Sequence, residues 1–250
     1  MLATHKKDRP LGIQILGCEP KFLLKSLDVL KKYEFDILDF NAACPAKKVV
    51  RRGEGASLLR EPKKLQELLK LLVKNAHVPV TVKIRAGWDD TQVNAPEVAL
   101  RAQDAGIAAL FIHGRTCAQG YGGRVDYSVI RKVKEALKIP VVASGNAFST
   151  ELIKQIFGRT CCDAVAIARG ALGNPWIFSG GKPSLNEVVK IMLEHLRASV
   201  DFYGERVGVI KFRKFFSWYT KGMRRVRPLR EKFSRAKTRI DTAGIIGLLK

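Results

Sequence analysis

The sequence predicts an α/β fold of the (β/α)8-barrel type, here with about six strands, followed by a small all-helical domain. Short apolar runs alternate with helical patterns through roughly the first 180 residues, and regular β-α alternation predicts a parallel sheet. Polar residues follow nearly every apolar run, and only helical patterns remain from about Ser184 onward. We therefore place the barrel domain in residues 1–182 and the helical domain in residues 183–250.

Six runs are predicted as strands because they are short, rich in β-branched residues and almost continuously apolar, which is typical of strands buried on both faces. They are residues 11–16, 36–40, 80–84, 108–112, 140–143 and 164–168. The helical patterns between them are residues 20–33, 62–75, 95–105, 126–137 and 150–157. Proline stands near the start of three of these helices, where its missing N–H would have no helical partner.

The segments that follow the predicted strands favour a barrel over a doubly wound sheet. Residues 41–44, 85, 113–115, 144–146 and 169–170 are polar or glycine-containing and come directly after strands. In a barrel these strand ends form one rim, where active sites are built, whereas a doubly wound sheet forms a site at only one or two ends. No GxGxxG pattern follows a strand, which disfavours a dinucleotide-binding Rossmann unit.

The charge of the chain indicates a polyanionic partner. The formal net charge is +22, from 45 Lys and Arg against 23 Asp and Glu, which is more than solubility needs and favours nucleic-acid binding. Residues 211–240 hold twelve Lys or Arg and one acidic residue, Glu231. A charge run can be a solvated face or a disordered tail. Because aromatic residues are interspersed here, we expect folded helices, including residues 186–203 and 209–223, with a basic outer face.

The cysteines and the apolar runs predict a cytoplasmic protein. The five cysteines show no CxxC spacing, so we expect free thiols in a reducing compartment and no metal site. No apolar run reaches the roughly 18–20 residues of a membrane span, and the N-terminus lacks the apolar segment of a secretory signal. We expect no membrane partner, and nothing in the sequence implies an oligomer.

Residues 41–59 are the most informative segment of the chain. Cys44 lies there in an Ala-Cys-Pro turn directly after a predicted strand. A thiol can donate a proton at neutral pH, since free cysteine titrates near pH 8.5; the alternative is a buried structural cysteine. The basic residues that follow are Lys47, Lys48, Arg51 and Arg52. A proton donor beside phosphate-binding charge indicates an enzyme that acts on nucleic acid.

The chain resembles the tRNA-dihydrouridine synthases from Gln14 to its C-terminus. The matching stretches, in the family's order, are IQILG, LDFNAACPAKKVVRRGEGASLL, VTVKIRAGW, IHGRTCAQGYGG, VVASGN and AIARGALGNPWIF, and the helical segment FRKFFSWYTKGM is also similar. The resemblance implies a flavin-binding catalytic barrel that holds FMN, followed by a helical tRNA-binding domain. It also implies reduction of specific uridines in tRNA to 5,6-dihydrouridine, with NADPH as the reductant.

The resemblance assigns the chemistry to particular residues. Cys44 gives a proton to C5 of the uracil ring, and reduced FMN gives a hydride to C6. Lys83 is the cation at the pyrimidine end of the flavin, where it stabilises negative charge. The remaining flavin contacts are Gln14 and His113, with Ser144, Gly145, Asn146, Ala168 and Arg169 in two segments that match the phosphate loops. Small residues there permit phosphate binding by backbone N–H groups.

The resemblance also implies contacts to tRNA. Asn41 and Arg85 are candidates for holding the uracil edge, and Arg115 for contacting substrate or flavin. Gln119 and Tyr121 belong to a loop that could receive a base flipped out of the tRNA. The phosphates would be held by basic residues. These are Lys47, Lys48, Arg51 and Arg52 in the barrel, and Arg213, Lys214 and Lys221 in the helical domain.

The sequence departs from the family pattern in two ways. Ala43 replaces the usual Gly before the cysteine, and Ser144 and Asn146 stand where Asn and Asp are usual; these small or near-isosteric changes should be tolerated. The family normally begins with two further βα units, including a flavin-contacting Ala-Pro-Met segment, that have no counterpart here. A six-stranded barrel would leave two open sheet edges.

Two other functions stay open at the level of the sequence. One is an FMN barrel oxidoreductase that acts on a small pyrimidine; the basic helical segment argues against it, because a small substrate needs no such charge. The other is a truncated, inactive tRNA-binding remnant, which the count of six strands favours.

Overall fold

The computed structural model describes residues 8–249. The chain divides into two compact units, the first comprising residues 8–147 and 151–167 and the second comprising residues 148–150 and 168–249. This division lies earlier in the chain than the domain boundary predicted between residues 182 and 183, which stays a prediction.

The first unit is built on one sheet of six parallel strands, each hydrogen-bonded to the next in chain order. The strands are β1 Gly12–Ile15, β2 Ile37–Asn41, β3 Val80–Arg85, β4 Ala109–His113, β5 Val141–Ser144 and β6 Ala164–Ala166. Sequential parallel strands with right-handed connections place their helices on one side of the sheet, as in a βα barrel, whereas a doubly wound sheet reverses its order partway. The predicted barrel-type α/β fold with six strands is confirmed, and every predicted strand agrees with an observed one to within two residues at either end.

Helices connect the strands. They are α1 Pro20–Leu30, α2 Lys47–Val50, α3 Pro62–Asn75, α4 Ala95–Asp104, α5 Tyr127–Ala136 and α6 Thr150–Thr160. Proline stands in the first turn of α1, α3 and α4, as predicted. The carboxylate of Asp126 caps α5 by accepting from the backbone N–H groups of Ser128 and Val129. The short helix α2 and a 3₁₀ helix over Gly55–Arg60 were not predicted, because neither is long enough to show apolar periodicity.

The two faces of the sheet differ chemically because successive side chains on a strand point to opposite sides. One face is apolar and buried. Its side chains with no exposed surface are Leu38, Phe40, Val82, Ile84, Leu110, Ile112, Val141 and Ala143. This face belongs to the same core as helix residues such as Leu65 and Val98. The other face carries polar side chains. This polar face is buried at Thr81, Arg85 and Ser144. It is only partly buried at Asp39, Asn41 and Lys83, so burial on both faces, as expected, holds for part of the sheet and not for β2.

The second unit is helical. Its helices are α7 Leu185–Tyr203, α8 Glu205–Tyr219, α9 Arg227–Arg235 and α10 Arg239–Gly247, preceded by short 3₁₀ helices over Arg169–Ala171 and Pro175–Phe178. The first two correspond to the predicted helices over residues 186–203 and 209–223. A capping box starts α7, in which Ser184 and Glu187 each accept from the other's backbone N–H. No helix within residues 8–249 is long and apolar enough to cross a membrane.

Aromatic side chains form the core of the second unit. The rings of Phe216 and Phe233 stack with their centroids 3.9 Å apart, and Phe212 is also fully buried. Neither α9 nor α10 was predicted from the sequence. The apolar side chains of α9 that pack into the core are Leu229 and Phe233, which lie four residues apart. Phe233 contacts both Phe212 and Phe216, so α9 packs against the aromatic core.

The close approach of α7 and α8 leaves no room for a side chain at Gly208. A Cβ atom at this position would lie 2.6 Å from the carbonyl oxygen of Ser199 and 2.7 Å from Cα of Val200. We expect Gly208→Ala to lower the free energy of unfolding by about 1–3 kcal/mol, the range for overpacking, although alanine is the better helix former. Thermal or denaturant unfolding followed by circular dichroism measures this loss.

The matched control is Gly244→Ala in α10, where, outside the local helix backbone, no atom of residues 8–249 lies within 4 Å of an added Cβ. This variant should be neutral or more stable by up to about 1 kcal/mol. Equal destabilisation of both variants would contradict the steric explanation.

His195 lies among aromatic side chains of the second unit, and we expect it to make the stability of this unit depend on pH. Its ring centroid lies 5.1 Å from that of Phe212, 4.3 Å from that of Phe215 and 6.0 Å from that of Tyr219, and burial lowers the pKa of His195 below its ordinary value. A depressed pKa in the folded state means that folding favours the neutral ring. The stabilisation from the neutral ring is therefore complete above about pH 6.5, where an unfolded histidine titrates. It is lost as the pH falls from there through the lower pKa of the folded state.

We expect the melting temperature to fall more between about pH 7.5 and about pH 5.5 in the unmodified protein than in His195→Gln, which cannot ionise in this range. Thermal unfolding of both proteins at the two pH values gives the comparison. The same fall in both would mean that His195 does not contribute to the pH dependence.

Candidate active site at the carboxyl ends of the strands

Polar side chains from β1 to β5 share one face of the sheet. The strand register pairs Gln14 with Asp39 and Asn41 with Lys83. It also pairs Arg85 with His113 and His113 with Ser144. Because register partners and residues two apart point to the same side, these side chains form one surface. The sequence-predicted residues on this surface are Gln14, Asn41, Lys83, Arg85, His113 and Ser144.

Asp39 lies on this face in β2, and the sequence analysis did not identify it. One carboxylate oxygen accepts from the Gln14 amide at 2.6 Å, and the other accepts from the Thr81 hydroxyl at 2.7 Å. Burial raises the pKa of Asp39, while these two hydrogen bonds and the charge of Lys83 oppose the rise. The sequence did contain a signal for Asp39: side chains alternate between the two faces of the strand ILDFN, so Asp39 shares a face with the predicted site residue Asn41.

Lys83 is a largely buried cation on the same face. Burial lowers its pKa; the charge of Asp39 opposes this shift and that of Arg85 adds to it. The ammonium nitrogen lies 3.3 Å from the hydroxyl oxygen of Ser144, which donates in turn to the carbonyl of Ile112 at 3.0 Å. An ammonium group has three donors, so Lys83 can hold a further acceptor in addition to Ser144.

The backbone of the turn that contains Cys44 is held on both sides. The side-chain oxygen of Asn41 accepts from the N–H groups of Ala43 and Cys44, each at 3.0 Å. The carbonyl oxygen of Cys44 accepts from the N–H of Ala56 at 3.0 Å. Gly55 has a φ of +59°, and a Cβ there would lie 2.8 Å from the Cys44 carbonyl oxygen. The turn therefore requires glycine at this position, and Cys44 itself is a free, partly buried thiol.

Arg85 connects the Cys44 turn to the loop after β4. Its side chain is only 3% exposed, and burial lowers its pKa. The guanidinium donates to the carbonyl oxygens of Ala43 at 2.7 Å, Thr116 at 3.0 Å and Gly120 at 2.8 Å. It also lies 5.9 Å from the ring centroid of Tyr121. These contacts make Arg85 a buried link between two loops at the edge of the site.

Arg115 also holds loops together, by connecting the segment after β4 with the segment after β5. Its guanidinium donates to the carbonyl of Gly123 at 2.9 Å and to the side-chain oxygen of Asn146 at 3.2 Å, and its Nη1 is 3.4 Å from Nε2 of His113. Gly145 has a φ of +112°, and a Cβ there would lie 2.7 Å from the His113 ring. Asn146 also has a positive φ of 57°, which asparagine tolerates better than most residues. The structure thus brings His113, Arg115, Gly145 and Asn146 together.

The loop residues Gln119 and Tyr121 differ in their surroundings. The side-chain oxygen of Gln119 accepts from the N–H of Thr116 at 2.8 Å, and the Thr116 hydroxyl accepts from the N–H of Gln119 at 3.3 Å. The Gln119 side chain therefore closes its own turn. Tyr121 is 68% exposed, so its ring is accessible to a ligand.

The four basic residues after the Cys44 turn lie on and just beyond α2. Lys47, Lys48, Arg51 and Arg52 are all exposed. Arg52 forms an ion pair with Glu54 at 2.6 Å, which reduces its availability for a phosphate. These residues form an exposed basic group beside the turn.

The three basic residues predicted in the second unit have two different environments. Lys214 and Lys221 are exposed. Arg213 is partly buried and donates to the carbonyl oxygen of Ala236, the residue directly after α9, at 2.9 Å. Its Nε is buried without a hydrogen-bond partner among the described residues. Arg213 therefore contacts its own unit, and Lys214 and Lys221 are the accessible cations of the three.

The two predicted phosphate segments belong to different units. Ser144, Gly145 and Asn146 are part of the first unit, and Ala168 and Arg169 are part of the second. Arg169 is exposed, and its guanidinium lies 5.3 Å from the ring centroid of Phe148 in the same unit. That the two segments form one phosphate site stays a prediction.

The polar face and the turn beside it combine three chemical properties. Cys44, in the turn that follows β2, offers a free thiol. Lys83 offers a buried positive charge, and Gln14 offers an amide with both a donor and an acceptor. Such groups suit a planar heterocycle with mixed polar edges together with a proton transfer.

Comparison with known proteins identifies the family. The family model for dihydrouridine synthase (Dus) matches residues 1–246. The tRNA-dihydrouridine synthase B of Pasteurella multocida is 38% identical over 244 residues, covering 93% of this chain and 74% of that protein. The tRNA-dihydrouridine synthase B of Xanthomonas axonopodis pv. citri is 40% identical over 252 residues, covering 94% and 76%. A probable tRNA-dihydrouridine synthase of Rhizobium leguminosarum bv. phaseoli is 36% identical, covering 95% and 73%. Because both the family model and these relatives match nearly the whole chain, the chain belongs to the dihydrouridine synthase family.

Proposed function

We propose that this protein is a tRNA-dihydrouridine synthase that reduces specific uridines in tRNA to 5,6-dihydrouridine, with FMN as cofactor and NADPH as reductant. The observation that carries the proposal is the match of nearly the whole chain to relatives named tRNA-dihydrouridine synthase. The position of Cys44 next to the polar face of the sheet supports it. Because tRNA is the substrate, we propose the cytoplasm as the site of action.

The residues on the polar face fit a flavin. Gly145 lies so close to the His113 ring that a Cβ would clash with it at 2.7 Å, so only glycine fits there. Lys83 can donate to a further acceptor in addition to Ser144. Gln14, Lys83, His113, Ser144, Gly145 and Asn146 would hold the group, with Ala168 and Arg169 assigned by the family resemblance. When bound and reduced, FMN supplies the hydride that C6 of the uracil ring takes up.

Cys44 supplies the other half of the reduction. Its S–H bond breaks as the proton moves to C5 of the uracil ring, and the thiolate then takes a proton from solvent. Asn41, Arg85 and Gly55 support this step by holding the turn: each contacts its backbone or leaves the space that it needs. The backbone of the donor is therefore fixed before substrate arrives, which lowers the cost of reaching the reactive geometry.

The accessible polar groups around the turn would receive the tRNA. A uridine must leave the base stack to reach an enclosed site, and a side chain such as the exposed Tyr121 can contact the flipped base. Lys47, Lys48 and Arg51 would contact phosphates near the turn, and Lys214 and Lys221 would do so from the second unit. Arg85 and Gln119, which bond to backbone groups in this structure, would act on the substrate mainly through the loops that they hold.

Formation of dihydrouridine tests the function. The purified chain, supplied with FMN and NADPH, should convert uridine to dihydrouridine in unmodified tRNA, detected as a gain of two hydrogens by nucleoside mass spectrometry. Cys44→Ala should reduce the turnover by about 10²–10⁴-fold, the usual contribution of a general acid, and should leave tRNA binding unchanged.

The control for this substitution is Cys161→Ala, which removes an exposed thiol outside the polar face and should keep full turnover. Full turnover by Cys44→Ala would remove Cys44 from its role. A protein that binds FMN and tRNA but forms no dihydrouridine, with either NADPH or a chemical reductant, would overturn the proposed function.

The salt dependence of tRNA binding tests the basic surface of the second unit. Replacing both Lys214 and Lys221 by alanine should weaken binding and reduce the slope of log K against log salt concentration by about 1 for each phosphate that the variant no longer neutralises. Filter binding or fluorescence anisotropy over a salt series measures both quantities.

The matched control is Lys154→Ala, which removes an exposed lysine from α6 and should leave the slope as it is. If the double variant and the control behave alike, the tRNA contacts another surface.

A further inference from the structure

Asp39 begins an unbroken series of hydrogen bonds that ends at the backbone of the Cys44 turn. Its carboxylate accepts from Nε2 of Gln14 at 2.6 Å. Oε1 of Gln14 accepts from Nδ2 of Asn41 at 2.7 Å. Oδ1 of Asn41 accepts from the N–H groups of Ala43 and Cys44 at 3.0 Å each. The series therefore joins a carboxylate on β2 to the turn through two amide side chains.

The two ends of this series require the same orientation of both amides. An ionised carboxylate can only accept, so the Asp39 end requires the NH₂ group of Gln14 to face it. Backbone N–H groups can only donate, so the Cys44 end requires the oxygen of Asn41 to face the turn. If both amides were reversed, acceptors would meet at one end and donors at the other. The series is thus fully matched in one orientation only.

We propose that Asp39 is a positioning residue that, through Gln14 and Asn41, holds the backbone of the Cys44 turn in the geometry needed for proton donation. The second oxygen of Asp39 is fixed by the Thr81 hydroxyl at 2.7 Å, so the carboxylate cannot turn away from Gln14 without breaking this bond. The register of β1, β2 and β3 aligns Gln14, Asp39 and Thr81 across the sheet. The start of the series therefore lies on rigid strands, and its end lies in a turn.

A simpler role for Asp39 would be to balance the charge of Lys83. If charge balance were the only role, substituting Asp39 would not affect the N–H groups of the turn. The hydrogen-bond series predicts that it does affect them, through the two side chains in between. The two roles can therefore be separated by measuring the turn directly. The proposal takes Cys44 as the proton donor from the proposed function, but the order of the turn can be measured without any activity.

Hydrogen exchange at the Ala43 and Cys44 amides provides the test. Asp39→Asn keeps the size of the side chain but no longer dictates one orientation, and should speed exchange of both amides by about 3–10-fold, as expected for weakening one ordinary hydrogen bond. Asn41→Ala, which removes the acceptor, should do at least as much. Combining Asp39→Asn with Asn41→Ala should give the exchange rates of Asn41→Ala alone, because the series is already broken.

Gln14→Met interrupts the series at an exposed position, where a fold defect is not expected, and should reproduce the effect of Asp39→Asn. Asp104→Asn, which neutralises an exposed carboxylate on α4, is the control and should leave the exchange as it is. Exchange at Val82 and Ile84 in β3 should be unchanged in all variants and shows that the sheet is intact.

Unchanged exchange in both Asp39→Asn and Gln14→Met, or effects of Asp39→Asn and Asn41→Ala that add independently, would overturn the proposal. In the active protein, Asp39→Asn should lower kcat while the Kd for tRNA stays the same; a change in Kd alone would also overturn it. A protein without dihydrouridine formation but with coupled exchange would refute the proposed function and not the hydrogen-bond series, so the two failures are distinguishable.

Discussion

In-register hydrogen bonding between β2 and β3 sets Asp39 beside Thr81 and Asn41 beside Lys83, and the polar surface of the first unit depends on this alignment. A slip by one residue would exchange the two faces of the strand. Lys83 and Arg85 would then enter the core that Val82 and Ile84 now occupy without any exposed surface. Because burying unpaired charges there would be very costly, the apolar face determines the register and thereby the positions of the polar groups.

Two arginines at the edge of this surface donate hydrogen bonds to the backbone of neighbouring loops. Arg85 donates to three backbone carbonyls in two loops, and Arg115 donates to the carbonyl of Gly123. Buried carbonyl groups need partners, and irregular loops cannot supply them from a regular ladder. The guanidinium offers several donors in one rigid plane, so one side chain can hold several turns of backbone. The loops that carry Cys44 and Tyr121 are thus tied to β3.

In the second unit the aromatic side chains lie in the core and most of the charged side chains lie on the surface. Phe212, Phe216 and Phe233 fill the interior, while the cations Lys214 and Lys221 remain outside. Part of the positive charge serves stability instead, because Arg213 bonds to the carbonyl of Ala236 at the end of α9. A count of basic residues therefore overstates the positive charge that a polyanion can contact. The basic residues that remain exposed are still suited to binding a polyanion.

The sequence by itself was sufficient to predict the six strands, the longer helices between them, α7, α8 and the family. Periodicity and motifs are local properties of the chain, so they can be recognised without the structure. The sequence did not predict α2, which is too short to show a period, nor α9 and α10. It also did not single out Asp39, whose importance depends on its partners. The bonds from Gln14 and Thr81 to Asp39 join residues 25 and 42 positions apart, and the bond from Arg85 to Ala43 spans 42. Only the tertiary structure decided which polar groups meet, since such pairings follow from strand register and loop closure and not from any local pattern.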